Sequence, residues 1–291
     1  MSPSISRRRF LGHLAGAAGS LAAASSLPAG ENAPQPEKRP PLDFPLVDYH
    51  AHLTTKETLG RGIETAAEHR IKLGIVVHAG TKENVYPDLI SDDAGLRGYL
   101  GLLEGRPVYK GVQAEGLDWP TCFSKDLAAR LDYVLTDAMT MPDRTGRRVR
   151  LWGPDVRIDD PQEFMDRYVD YHVRIMATEP IDILANTTYL PGAIRARYDK
   201  LWTEKRWRKI VDAAVKYRVA LEISASLKAP SLGLLRLAKE AGAKFSFGSN
   251  TRLPKVNTLD YCVEMAQKLS LTKADMFTPA PAGKKPIQLR G

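Results

Sequence analysis

"VDYHAHL", residues 47–53, sets two histidines one residue apart at the end of an apolar run, with an aspartate two positions before the first. Side chains of a strand alternate between its faces, so a strand here projects Asp48, His50 and His52 together and turns Tyr49 and Ala51 the other way. Whether this is half of a metal site or a polar strand end depends on what other strands bring to the same place.

Outward from this stretch the chain is rhythmic. "PLVDYH" is followed by "TLGRGIETAAEHRIKL", "GIVVHA" by "DDAGLRGYLGLLEG", and "VYKGVQAE" by "CFSKDLAARL". "DYVLTD", "IDILAN", "VALEIS" and "KFSFGS" each precede a longer amphipathic segment in the same way. Seven units of strand then helix predict parallel strands covered by helices. Residues 45–279 fit one α/β domain, a seven-stranded parallel β/α barrel, since such barrels run to ~250 residues. The alternative is a doubly wound open sheet, but no Gly-x-Gly-x-x-Gly follows the first strand.

Residues 1–30 stand apart. "SRRRFLGHLAGAAGSLAAASSLPAG" pairs Arg7 with Arg8 before a weakly apolar, Gly- and Ala-rich run, and resembles a twin-arginine export signal. Glycines at 12, 16 and 19 make the run a poor permanent membrane span. Residues 31–44 read as a Pro-rich linker and 280–291 as a C-terminal tail. The signal implies the twin-arginine translocase as a transient partner, a folded cargo with any cofactor aboard, and a periplasmic or extracellular location with no stable membrane span after processing. Cys122 and Cys262 form no disulfide framework. The formal net charge is +8, and because residues 1–30 hold three arginines and no acid, the remainder carries +5. The basic residues alternate with acids along helices, which predicts solvated faces and no nucleic-acid partner, while leaving room for a small anionic substrate.

In a parallel barrel, functional groups gather where strands end. Those positions hold Asp48, His50, His52, His78, Glu115, Asp137, Asn186, Glu222, Asn250 and Arg252. His50 and His52 share a face and can grip one ion at ~2.1 Å. Glu115 closes an apolar strand, where a carboxylate without a cation or metal is costly to desolvate. His78 reads equally as a hydrogen-bonded structural residue. Asp137, Asn186 and Glu222 are open to a second reading as helix caps or loop hydrogen-bonders, and Lys228 as ordinary surface charge. His69 and His172 sit in helical patterns, on faces expected to be solvated.

These motifs, in this order, resemble the polymerase and histidinol phosphatase (PHP) superfamily, seven-stranded barrels whose strand ends hold divalent metals and hydrolyse phosphate esters. "VDYHAHL" is similar to the family's first motif, "GIVVHAG" to its second and "GVQAE" to the strand with the bridging glutamate. "DILAN", "LEISASLKAP" and "FSFGSNTR" are similar to later ones. The resemblance keeps His50, His52, His78 and Glu115, but Val77 stands where the family has an acid, Asp137 and Met139 where the fourth strand has a histidine, and Asn186, Asn250 and Arg252 where it has His, Asp and His. An arginine ~6 Å from a divalent ion opposes it by roughly 5 kcal/mol at an effective dielectric of ~20. The resemblance thus implies a reduced site: one Zn, Mn or Fe ion on His50, His52 and Glu115, with His78 as a further ligand or base and Asp137 beside it as a catalytic carboxylate. Asn186, Glu222, Lys228, Asn250 and Arg252 would face the substrate, with Arg252 on a phosphate, carboxylate or sugar-acid group. The competing expectations are a degenerate PHP-like barrel, binding an anionic or carbohydrate ligand or serving as a partner subunit, and an amidohydrolase-like barrel. The insertion at 140–161 is expected to overhang the pocket.

Overall fold

The computed structural model describes residues 41–154 and 156–290. Residues 1–30, where an export signal is expected, and most of the expected linker lie outside the described residues. The barrel strands are β1 (Leu46–His52), β2 (Ile71–Val76), β3 (Tyr109–Glu115), β4 (Tyr133–Thr136), β5 (Ile183–Leu184), β6 (Ala220–Ser224) and β7 (Phe245–Gly248). Each pairs in parallel with the next, and β7 returns to β1 through Asp48 opposite Phe247, so the sheet closes. Past Val77, His78–Gly80 continues the path of β2 and pairs with β3, His78 opposite Gln113 and Gly80 opposite Glu115. The covering helices are α1 (Thr58–Glu68), α2 (Asp93–Leu102), the short α3 (Lys125–Ala128), α4 (Pro161–Thr178), α5 (Glu204–Tyr217), α6 (Leu232–Glu240) and α7 (Asp260–Lys268). This is the closed seven-stranded barrel that the alternation predicts.

Local chemistry sets the helix starts. The Asp92 carboxylate accepts from Gly95 N at 2.8 Å ahead of α2, and Asp160 accepts from Gln162 N and Glu163 N ahead of α4, whose first residue is proline. No helix among the described residues is long and apolar enough to cross a membrane.

Two apolar layers hold the barrel. The larger lies between sheet and helices and includes Leu73, Ile75, Val112, Val134, Leu221, Phe245 and Phe247. The smaller fills the floor of the barrel, where Tyr49 meets Tyr133 edge-on at 5.2 Å, stacks on Tyr109 at 5.6 Å and meets Phe277 at 5.1 Å. Each buried ring contributes roughly 1.5–3 kcal/mol. Gly111 makes room for this plug, since a Cβ there would sit 2.3 Å from the Tyr133 ring.

Three expectations are corrected. Strict alternation in β1 fails: the register with β2 shifts between Asp48 and Ala51, so Tyr49 joins the floor plug while its neighbour His50 also faces the interior. Asp48 does not accompany the histidine rings; its Oδ1 accepts from His50 N and Ser249 N, and its Oδ2 from Ser249 Oγ at 2.5 Å, tying β1 to the end of β7. His172 is fully buried, not solvated, because it lies on the inward face of α4 with Tyr168 and Ile175. Its Nδ1 lies 2.7 Å from Tyr168 O, its ring meets Trp202 edge-on, and burial pulls its pKa down to about 4. The C-terminal segment is anchored to the barrel: Lys285 Nζ donates to Ala129 O and Leu131 O, and Arg290 to Met176 O and Ile181 O.

Candidate metal centre

Above the tyrosine plug the barrel turns polar, and two linked groups of side chains form. The first surrounds His50, which is 1% exposed. Its Nδ1 lies 3.0 Å from Glu222 Oε1 on β6, and its Nε2 3.1 Å from Gln113 Oε1 on β3. Gln113 Nε2 donates to Glu115 Oε1 at 3.2 Å and to Asp137 Oδ2 at 3.4 Å, so its oxygen is left to accept. His50 thus has both ring nitrogens taken by protein side chains, with the Glu222 carboxylate on one and the Gln113 amide on the other. Burial alone would lower its pKa, but Glu222, helped by Asp137 and Asp48, raises it above the ordinary value. Asn186 closes the group: its Nδ2 donates to Asp137 Oδ2 at 3.0 Å and its backbone N to Glu222 Oε2 at 2.7 Å. Asp137 also accepts from Met139 N, and burial pushes its pKa up. Gly248 leaves the space for the Glu222 carboxylate; a Cβ there would lie 1.8 Å from Oε1.

The second group is the candidate metal centre. His52 Nδ1, His78 Nε2 and the Asp88 carboxylate lie within 4.8 Å of one another. Asp88 comes from the loop after the β2 extension; its oxygens are 3.9 Å from His52 Nδ1 and 3.8 Å from His78 Nε2. These distances are too long for hydrogen bonds, and His52 Nδ1 is a buried polar atom without a partner. Burial, together with His50, His78 and Arg252, drives the His52 pKa down to about 3, so the imidazole is neutral, the form that ligates. Asp88 feels burial in the opposite direction, but the two histidines hold its pKa below the usual carboxylate range. His78 Nδ1 is fixed by Glu115 Oε1 at 2.8 Å, which leaves Nε2 to face Asp88. A ligating histidine oriented by a carboxylate on its other nitrogen is a recurrent metal-site device. The Tyr86 ring stacks on His78 at 3.8 Å and 11°. An orphaned neutral imidazole, an oriented second imidazole and an ionised carboxylate fit a divalent ion with N and O ligands.

The remaining candidates line the mouth. Arg252 is exposed and lies in register with His52, and its Nη1 donates to Asn250 Oδ1 at 3.2 Å. Asn186 and Asn250 take left-handed backbone conformations at φ 51° and 49°, which asparagine tolerates. Lys228 is exposed beyond β6 and joins neither group. The structure therefore puts the His52 ring between those of His50 and His78, at 5.2 Å and 4.8 Å, and places Glu115 behind His78.

Asp88 is the ligand candidate the sequence did not single out. It sits in "KENVYPDLI", a loop with no periodicity to flag it, and supplies the carboxylate that Val77 cannot. Gln113 carried a usable signal, being an amide two positions before Glu115 in an apolar strand and so on the same face.

No family model and no curated protein matches the sequence. Among solved structures, a histidinol phosphate phosphatase from Lactococcus lactis, in complex with zinc, L-histidinol and phosphate, superimposes with a TM-score of 0.55 at 13% identity, covering 84% of this chain and 98% of that one. A Yersinia pestis DHPS gives a TM-score of 0.39 at 11% identity, covering 79% of this chain and 93% of that one. An HpcH/HpaI aldolase from Desulfitobacterium hafniense gives 0.37 at 12%, covering 81% and 95%. The likeness to the phosphatase is one of fold, the closed β/α barrel.

Proposed function

We propose that this protein is a hydrolase of phosphate esters that works with one divalent ion, exported through a twin-arginine signal. The observation that carries the reading is the convergence of His52, His78 and Asp88 within 4.8 Å, with His78 oriented by Glu115. These residues, not the trio His50, His52 and Glu115, are the proposed ligands. A bound Zn, Mn or Fe ion would supply Lewis-acid polarisation and a water of lowered pKa. Glu115 holds the His78 tautomer. Arg252, steadied by Asn250, binds the substrate anion at the mouth. Asp137 is committed to Gln113, Asn186 and Met139 N, so it holds the network rather than taking a proton. The network around His50 supports the choice of a single ion, because both His50 nitrogens are taken by Glu222 and Gln113 and are not free to ligate a second one. The solved phosphatase of this fold makes a phosphate monoester the first substrate to try.

The test is metal analysis of purified protein alongside turnover of 4-nitrophenyl phosphate. About one equivalent of metal, with activity lost to chelation and restored by metal, supports the reading; metal-free protein with full turnover defeats it. A second reading is a binding barrel without catalysis, favoured by one observation: both His50 nitrogens are taken by protein side chains, so the first-strand pair offers a single ligand. Stoichiometric metal without turnover on any phosphate, carboxylate or sugar ester would select it. Export is tested by fractionating cells that express the Arg7→Lys, Arg8→Lys chain, which should retain the protein inside.

A further inference from the structure

Beside the metal centre, across the Tyr86 ring, lies a second space. The insertion after β4 folds into an antiparallel hairpin, Thr140–Pro142 against Arg148–Arg150, and borders an open cavity of about 700 Å³ between the hairpin, the loop carrying Tyr86 and the start of α4. That volume suits a small molecule. Met141, Leu151 and Phe164 are buried residues of its lining and give it an apolar floor.

Its rim is cationic. Arg147, Arg148, Arg150, Arg157 and Arg167 line it, against Glu83 and Asp143. Three of the arginines already have carboxylate partners: Arg147 pairs with Asp143, Arg148 with Asp118 at 2.6 Å, and Arg167 with Glu163. Arg150 and Arg157 have none among the described residues. Arg150 donates Nη2 to Val85 O at 2.9 Å, which fixes its guanidinium 5.2 Å from the centre of the Tyr86 ring and 6.0 Å from that of Trp152. Tyr86 is the shared wall, since the same ring stacks on His78. An apolar floor, two guanidiniums without a carboxylate partner among the described residues and an aromatic wall are complementary to an anion with an aromatic or aliphatic body.

We propose that this cavity binds the non-reacting end of the substrate, an aromatic or aliphatic group bearing a carboxylate, sulfonate or phosphate, within one aromatic ring of the metal centre. Calling the occupant a substrate rests on the hydrolase reading; the binding site does not. The hydrolase reading alone requires nothing of Arg150 or Arg157.

The experiment is calorimetric titration of the full chain with benzenesulfonate, which offers an aromatic body and an anion but is a weak metal ligand. Arg150→Gln with Arg157→Gln should weaken binding at least 10-fold, and Arg150→Lys with Arg157→Lys should recover part of it. Arg144→Gln, in the same hairpin but outside the cavity, should leave the affinity within twofold, as should His52→Ala. Equal affinity in the wild type and the double glutamine variant overturns the proposal, as does an equal loss in the Arg144 variant, which would mean general charge attraction. Loss only on His52→Ala also overturns it, while leaving the metal centre standing. Binding that needs Arg150 and Arg157 in a protein shown to hold no metal would keep the cavity and remove the hydrolase.

Discussion

His78 Nδ1 and Glu115 Oε1 lie 2.8 Å apart across a diagonal of the sheet, for the strands pair His78 with Gln113 and Glu115 with Gly80. Both side chains are buried, so the bond fixes which nitrogen of His78 points at Asp88. Glu115→Gln removes the charge that makes this bond strong and should weaken metal affinity 10- to 100-fold without emptying the site at saturating metal. Competition with a chromogenic chelator measures this, and unchanged affinity would mean that His78 needs no such partner.

The two histidines of the first motif should separate by experiment. His52→Ala and Asp88→Asn each remove a proposed ligand and should leave less than a tenth of an equivalent of metal after desalting. His50→Gln should keep about one equivalent while lowering stability, because Glu222 and Gln113 each lose a buried partner at about 1–3 kcal/mol. Elemental analysis paired with urea unfolding decides; metal lost equally from His50→Gln would restore His50 as a ligand.

Gly248→Ala should be severely destabilising, by about 3 kcal/mol or more, because the added carbon falls on the Glu222 carboxylate and reaches within 2.8 Å of His50 Cβ. Gly98→Ala, whose Cβ meets nothing within 4 Å, is the control. Its chemical denaturation midpoint should equal or exceed that of the wild type.

The floor of the barrel predicts a pH dependence remote from the metal. Asp182 is buried and accepts from Val134 N; burial raises its pKa from 3.8 to about 7 against the pull of Lys285 and Arg290. Between those values the folded state holds a proton that the unfolded state has released. Stability from this group is therefore full at low pH and falls as pH rises toward 7, by up to ~4 kcal/mol. Asp182→Asn should flatten the slope of the thermal midpoint between pH 4 and 7; an unchanged slope would show that Asp182 titrates normally.

Alternating short and long segments made the barrel legible, because parallel strands buried on both faces need apolar runs and helices to cover them. Strand ends likewise disclosed His50, His52, His78 and Glu115. Roles were harder to read. The shift in β1 turns two consecutive residues inward, a backbone event that leaves no mark in the letters "DYHA". Whether His50 ligates or pairs depends on Gln113 and Glu222, 63 and 172 positions away. Asp88 reaches the site from an irregular loop, whereas the burial of His172 was legible in its spacing from Tyr168 and Ile175 on one helix face.

The anchoring of Lys285 and Arg290 bears on how the molecule is made. β1 finds its last neighbours in β7 and Thr251–Arg252, and Phe277 and the latch of Lys285 and Arg290 complete the floor later still, so a ribosome must make about 250 residues before the first strand is protected on both sides. Until then the emerging chain presents an unpaired parallel edge that a chaperone would have to shield. For the same reason an affinity handle fused directly after residue 291 would adjoin the latch, and a spacer there should improve the yield of native protein.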